Sequence, residues 1–157
     1  MNTLITNNDV VALAFDGAEY VAPQSITVAD IAAATARFIT PIVGKPLFDA
    51  LCEGRYPDLL EEYVAPALAM GVRVTVQPSL NVRLTTAGLT APSSTTSSPP
   101  SVEASAALAN SLAKRLRYLC LRLSQHLEEC SEEYAEYDSD KNPLNRCCIY
   151  GGVVQVH

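Results

Sequence analysis

The sequence is short of aromatic and charged residues. It has no tryptophan, only 6% of its 157 residues are aromatic, and 17 acidic residues outnumber 11 basic ones, giving a formal net charge of -6. A general nucleic-acid binder uses lysine and arginine to neutralise phosphates, so this balance argues against that class. No sequence-specific nucleic-acid partner is expected.

Long apolar runs and a regular cysteine pattern are also missing. No stretch of about 18 apolar residues runs without a charge or a breaker, and the N-terminus lacks the basic start and apolar core of a signal peptide. Neither secretion nor a membrane partner is therefore expected. The cysteines form an odd set without a CxxC motif, which argues against a disulfide framework and fits a reducing cytosol. They are Cys52, Cys120, Cys130, Cys147 and Cys148.

Groups for acid-base and covalent chemistry are scarce. His126 and His157 are the only histidines, and neither lies beside a nucleophile motif that would predict a catalytic triad. His126 and Cys130 share a helical face and offer zinc-type ligands together with Cys147 and Cys148, but the spacing matches no usual zinc motif. Buried or idle thiols are the better interpretation. The sequence predicts no enzyme, no metal and no cofactor.

One segment, FITPIVGKPLFDALCEG at residues 38–54, predicts an elbow between two helices. Pro41 and Gly44 are expected to end the first helix, because proline disfavours helical geometry in the residue before it and glycine accepts a left-handed cap. Pro46 then starts a second helix, where its missing N–H costs nothing. The residues of this elbow motif are Phe38, Pro41, Gly44, Leu47, Phe48 and Leu51.

Helices are predicted on both sides of the elbow. Thr27 and Asp30 are expected to cap the helix that enters it, which then runs to about residue 40. The region from Pro57 to Met70 predicts the next helix, with a kink at Pro66. Apolar residues on its inner face keep a helical spacing.

Two further segments leave the choice between helix and strand open. Thr6 and Asp9 can cap a helix that ends at Phe15, although VVALAF fits a strand equally well. Residues 72–89 are rich in β-branched residues and predict extended structure with a turn at Gly88, while a helix through residue 80 stays possible. Gly71 would be the end of the preceding helix or a second kink.

The longest predicted element runs from about Val102 to Asp138. Apolar residues recur there at steps of three or four and predict one straight helix, roughly 55 Å long. A helix of this length exceeds the width of the domain, so part of it is expected to project or to pack against another chain. Leu121 falls off the apolar stripe and is either an ordinary exposed residue or a contact for a neighbour. The stripe consists of Leu108, Leu112, Leu116, Leu119, Leu123, Leu127, Cys130, Tyr134 and Tyr137.

Charge along this helix is segregated into a basic first half and an acidic second half. Carboxylates near a helix C-terminus oppose the helix dipole, so isolated-helix stability does not explain the order. We expect either a contact in which the basic half of one subunit meets the acidic half of the next, or a solvated face. The predicted inter-subunit contact residues are Lys114, Arg115, Arg117, Arg122, Glu128, Glu129, Glu132 and Glu133.

Two segments differ in composition from the single domain, residues 1–157, that contains them. Residues 91–101 carry no charge and no aromatic side chain and predict a flexible loop or arm. Residues 139–157 form a C-terminal tail in which β-forming residues flank Gly151 and Gly152, so a hairpin or an extended strand is expected. Such a strand suits pairing with a sheet of another protein, and packing onto its own domain is equally compatible.

The order of a short N-terminal segment, the elbow motif, a helix, an irregular β-rich stretch and one long C-terminal helix resembles prophage proteins of gut Bacteroides relatives. More broadly, it resembles the small helical head-to-tail connector proteins of tailed phages. That resemblance implies a homo-oligomeric ring beneath the portal, with portal and tail proteins as partners. It also implies a location in the host cytoplasm during assembly and then in the virion neck. The Ser/Thr/Pro segment and the tail NRCCIYGGVVQVH depart from the pattern. The resemblance is carried by Phe38, Ile39, Pro41, Ile42, Gly44, Leu47, Phe48, Asp49 and Leu51.

The sequence thus predicts a mainly α-helical protein, a small helical bundle with one long C-terminal helix and a minor extended segment. Its favoured function is that of a structural adaptor in virion assembly. The alternative is a cytosolic helical protein-binding module encoded by a mobile element.

Overall fold

The structure, a computed structural model, describes residues 3–16, 21–81, 83–85, 88–90, 101–150 and 153–156, with side chains for residues 3–16, 21–80 and 101–145. Residues 91–100 of the predicted loop lie outside these ranges, as do Gly151, Gly152 and His157 of the tail. The fold is mainly α-helical, which confirms the predicted class. Within the described residues, no helix is long and apolar enough to cross a membrane.

Capping boxes open the first two helices, α1 (Asn7–Ala14) and α2 (Val28–Ala34). The Thr6 backbone N–H donates to the Asp9 carboxylate at 2.8 Å, and Thr27 does the same to Asp30 at 2.8 Å. In return each threonine hydroxyl accepts from the N–H of its aspartate. These bonds satisfy donors that a helix start leaves open, and they settle the N-terminal segment as a helix rather than a strand. A 3-10 turn, Pro23–Ser25, precedes α2.

The elbow is broken at Gly44 and not at Pro41. A π turn, Thr35–Ile39, leads from α2 into α3 (Thr40–Cys52), and Pro41 lies in the first turn of α3. The prediction that Pro41 ends a helix is therefore wrong. Gly44 has a φ of 75° and a ψ of 158°, a conformation that suits glycine alone, so the chain changes direction there as predicted.

The helical chain accommodates a second proline, Pro66, in the same way as Pro41. A π turn, Leu60–Val64, joins α4 (Pro57–Leu59) to α5 (Ala65–Asn81), and Pro66 follows it directly. In both π turns, the residue just before the proline donates its N–H to the carbonyl five positions back. The wider turn accommodates a residue that cannot donate and whose ring crowds the preceding turn. The helix thus continues past Pro66.

Helix α5 lies at the centre of the bundle, against α1, α2 and α6. From Val64 to Arg73 every residue is buried except Pro66, which is half-buried. A helix that is apolar on all sides is stable only inside such a bundle. The core cluster around it draws side chains from α1 to α6.

The C-terminal half of α5 decides between the two forms predicted for residues 72–80: the helix is confirmed and the extended structure is wrong. Val72 and Val76 are buried there at helical spacing, and their burial in the bundle outweighs their β-propensity. Gly71 lies inside the helix and neither ends nor breaks it. Extended structure begins only at β1 (Arg83–Thr85), which pairs antiparallel with β2 (Gly88–Thr90). Gly88 opens β2 opposite Thr85, so the predicted turn position is also wrong.

The long helix, α6 (Val102–Glu129), has 28 residues and is roughly 42 Å long. The prediction that it continues to Asp138 is wrong. At Cys130 the backbone leaves helical geometry, with φ -112° and ψ 26°, and a 3-10 turn (Ser131–Glu133) reverses the chain. Tyr134 and Tyr137 then meet side chains of α6 instead of extending it. The crowded carboxylates at this helix end also disfavour a longer helix.

We call Ser131–Asn145 the return segment, because it folds back onto the end of α6. It contains a second 3-10 turn (Ser139–Lys141) and most of the short helix α7 (Pro143–Arg146). Strand β3 (Cys147–Tyr150) follows α7 directly and pairs antiparallel with β4 (Val153–Val156). The tail therefore adopts the hairpin, one of its two predicted forms.

Candidate interaction surface of the long helix

The predicted basic contact residues share one side of α6. At 100° per residue they span an arc of roughly 160°, opposite the buried stripe that contains Leu116 and Leu123. Tyr118 and Leu121 lie inside this arc and are 66% and 42% exposed. We call this surface the basic face. It consists of the exposed side chains Lys114, Arg115, Arg117, Tyr118, Leu121 and Arg122.

An acidic surface lies at the C-terminal end of the same helix. Glu129, Glu132 and Glu133 are exposed there, as the contact prediction requires. The ring of Tyr56, at the start of α4, meets the ring of Tyr134 edge-on, which places α4 beside the acidic turn. We call this surface the acidic end. It consists of Asp58, Glu61, Glu62, Glu129, Glu132 and Glu133, all exposed.

Stacked aromatic rings attach the acidic end to α6. The rings of Tyr63 and His126 are stacked with centroids 3.9 Å apart, at an angle of 8°. His126 Nε2 lies 2.9 Å from the hydroxyl of Tyr134, whose ring meets Tyr56 edge-on at 5.1 Å. The Tyr56 hydroxyl donates to Glu136 at 2.9 Å. The exposed carboxylates therefore project from a packed base of four rings.

Two predicted contact residues already have partners within the chain. The guanidinium of Arg122 lies 4.7 Å from the centre of the Tyr63 ring, a cation–π distance. Glu128 accepts hydrogen bonds from Tyr137, Ser139 and Asn145 of the return segment. Burial would raise the pKa of Glu128, but these three donors outweigh it and hold the pKa below its usual value. The other six contact residues remain candidates for an interface.

The predicted zinc-type ligands come together only in part. Cys130 Sγ lies 3.9 Å from His126 Nδ1, while the side chains of Cys147 and Cys148 are outside the described residues. Among the described side chains, no group of three or more potential ligands could hold a metal ion. Burial raises the pKa of Cys120 to about 11, which fits the idle thiol that the sequence suggested.

The elbow residues contribute to the packing of the fold. Leu47 and Leu51 are buried in the core, and Phe38 and Phe48 pack against it from the rim. Pro41 is exposed and Gly44 supplies the break. The elbow thus orients α3 against the rest of the bundle.

Sequence reasoning missed the residues that hold the return segment. Asn142 is fully buried and donates to Ser124 Oγ and to the Tyr137 hydroxyl, each at 2.8 Å. Ser124 lies on the buried side of α6. Its position as a small polar residue within an apolar stripe was the signal in the sequence that could have indicated this network. Such a residue is expected to have a hydrogen-bonding partner when it is buried.

These features define a mainly helical scaffold with exposed surfaces of opposite charge. By sequence, the chain belongs to the family of unknown function DUF6712, whose model matches residues 31–146. The matched range includes the elbow, α5, α6 and the return segment, and it ends one residue before β3. No curated protein and no solved structure matches the chain.

Proposed function

We propose that this protein is a structural adaptor in phage virion assembly, a head-to-tail connector whose copies form a ring beneath the portal. The observation that carries the proposal is a pair of exposed surfaces of opposite charge, the basic face on α6 and the acidic end around the C-terminus of that helix. Both surfaces are exposed, and no ion pair joins the basic face to another described side chain. In a head-to-tail contact, the basic face of one copy meets the acidic end of the next.

The composition of the basic face supports a protein contact. Tyr118 and Leu121 provide apolar area at its centre, and tyrosine and arginine are enriched where interfaces bind most strongly. The acidic end adds Asp58, Glu61 and Glu62 to the carboxylates of α6 and the following turn. A copy therefore carries both halves of a complementary contact, and rotation by a constant angle closes such copies into a ring.

Charge reversal tests this contact. Lys114→Glu with Arg117→Glu is expected to lower the assembly mass that light scattering measures for the purified protein, since two attractive pairs become repulsive. Adding Glu132→Arg and Glu133→Arg should restore the mass by exchanging the charges. The control is Lys45→Glu, because Lys45 is exposed on α3 and its ion pair with Asp49 is local. An unchanged assembly mass in the first variant would refute the contact.

The role in a virion has a separate test in the neighbouring genes. Portal, capsid and terminase genes on either side support the adaptor, whereas regulatory genes would contradict it.

The alternative function, a helical protein-binding module, is favoured by one observation. In the described part of the tail, β3 and β4 form a two-stranded sheet, so each strand has an edge without a strand partner. An open edge accepts an added strand from a binding partner. Deleting residues 147–157 would abolish binding by such a module and leave the basic face intact.

A further inference from the structure

The return segment has one core residue, Tyr134, which packs among the rings of Tyr56 and His126, and is otherwise attached to α6 by polar groups. Glu128 accepts a hydrogen bond from the Ser139 hydroxyl at 2.8 Å and further bonds from Tyr137 and Asn145. Asn142 donates to Ser124 and Tyr137, and its side-chain oxygen accepts from the backbone of Leu144 at 3.0 Å. Glu128 and Asn142 are therefore the two centres of one network.

Little apolar burial supports this network. Between residues 131 and 145 the only buried side chains are Tyr134 and Asn142, and the largest aliphatic residue, Leu144, is 37% exposed. By contrast, α5 and α6 contribute many buried aliphatic side chains to the core. Water can replace the hydrogen bonds of a polar attachment when it opens, so each bond contributes little net stability. Regions with little apolar burial open locally, at lower free energy than the core.

We propose that the return segment is a detachable arm, with Glu128 and Asn142 as the latch that holds it on α6. The arm opens about the turn at Cys130 and Ser131 while α1 to α6 stay folded. Only Arg146 separates the arm from β3, so opening also moves the C-terminal hairpin. This device does not depend on the proposed function, because it rests on contacts within one chain.

Native-state hydrogen exchange of the full chain tests the arm directly. In the wild type, backbone amides at 133–145 that are hydrogen-bonded should exchange faster than those at the centre of α5. Asn142→Ala should accelerate exchange in the arm by about tenfold, the loss expected for one or two hydrogen bonds, and leave α5 unchanged. Glu128→Gln keeps the size of the side chain and should give a smaller acceleration confined to the arm. Ser111→Ala, at an exposed position on α6, is the control and should change neither region.

Limited proteolysis of the wild type gives a second measurement that needs no variant. Lys141 in the arm and Lys114 in α6 are both exposed, and trypsin needs several residues of unfolded chain to cut at either. Cleavage after Lys141 should come first and leave the bundle intact. Cleavage at both sites together, or arm amides that exchange at the rate of α5, would overturn the proposal.

Discussion

Gly71 of α5 faces Phe38 of the elbow so closely that a Cβ atom added to Gly71 would lie 2.8 Å from Cδ2 of the phenylalanine ring. Real Cβ atoms do not approach that near, so the ring or the helix would have to shift. The glycine thus lets the helix that enters the elbow lie against the central helix. The contact also explains why a glycine sits inside α5, where its backbone conformation does not require one.

Gly71→Ala is expected to destabilise the protein by about 1 to 3 kcal/mol, the usual cost of overpacking a core. Alanine has a higher helix propensity than glycine, worth about 1 kcal/mol, and that effect alone would stabilise the protein. Chemical denaturation measures the difference. In a Phe38→Ala background the same change should become neutral or stabilising, because the ring is gone. A stabilising Gly71→Ala in the wild-type background would contradict the close packing.

Gly44→Ala should cost about 1 to 3 kcal/mol for a different reason, backbone strain. Its φ of 75° with ψ 158° is a conformation that alanine avoids, while the nearest atom to an added Cβ is Pro46 Cδ at an ordinary 3.8 Å. Thermal or chemical denaturation again provides the measurement. Lys45→Ala is the control, since its exposed side chain should change stability by no more than about 0.5 kcal/mol. Equal stability of the two variants would mean that the elbow does not need glycine.

Features that depend on a few adjacent residues could be predicted from the sequence. Both capping boxes join residues three apart, and the break at Gly44 follows from one glycine between two prolines. The helical class follows from periodic apolar residues. Exposure of the basic face was predictable for the same reason, because its positions alternate with the buried stripe of α6.

Features that depend on distant partners could not be predicted. Tyr134 and Tyr137 continue the apolar spacing of α6 in phase, so a longer helix and a reversal fit the sequence equally well. The reversal is favoured by the contacts that Tyr134 and Tyr137 make with Tyr56, His126 and Glu128, and the sequence does not show that these residues are close in space. That reversal also supplies Glu128 with hydrogen-bond donors from the return segment.

Local reasoning offered the observed extent of α5 but could not decide between a helix through residue 80 and extended structure. Val72 and Val76 have β-branched side chains that favour strands in isolation. Their burial at the centre of the bundle makes the helical form more stable. The stabilisation of the helical form comes from α1, α2 and α6, which lie in other parts of the chain and pack on α5.

The described cysteines are expected to differ in reactivity. Burial raises the pKa of Cys120 to about 11, so only about one thiol in a thousand is ionised at pH 8. Cys130 is half-buried at the end of α6 and more accessible to reagents. Alkylation of the native protein at pH 8, followed by mass spectrometry, should label Cys120 more slowly than Cys130. In denaturant the two rates should converge, and a fast native Cys120 would contradict its burial.

Acid should weaken the attachment of the return segment through Glu128 and Glu136. The hydrogen bond from Tyr56 lowers the pKa of Glu136, and Arg55 adds to the effect. At Glu128, burial acts in the opposite direction but hydrogen bonds from the return segment lower the pKa overall. A carboxylate whose pKa is lowered by folding stabilises the folded form above its unfolded pKa, here about 4.5.

The stabilisation is therefore complete at neutral pH and is lost as pH falls below 4.5 through the lower folded pKa values. Hydrogen exchange at 133–145 should stay constant relative to intrinsic rates from pH 7 to about pH 5 and accelerate below that. Because the chain has no tryptophan, tyrosine fluorescence offers a parallel signal from the rings beside these carboxylates. The double variant Glu128→Gln, Glu136→Gln should lack this acid response, since neither amide titrates. The same acid response in the double variant would show that other carboxylates control the attachment.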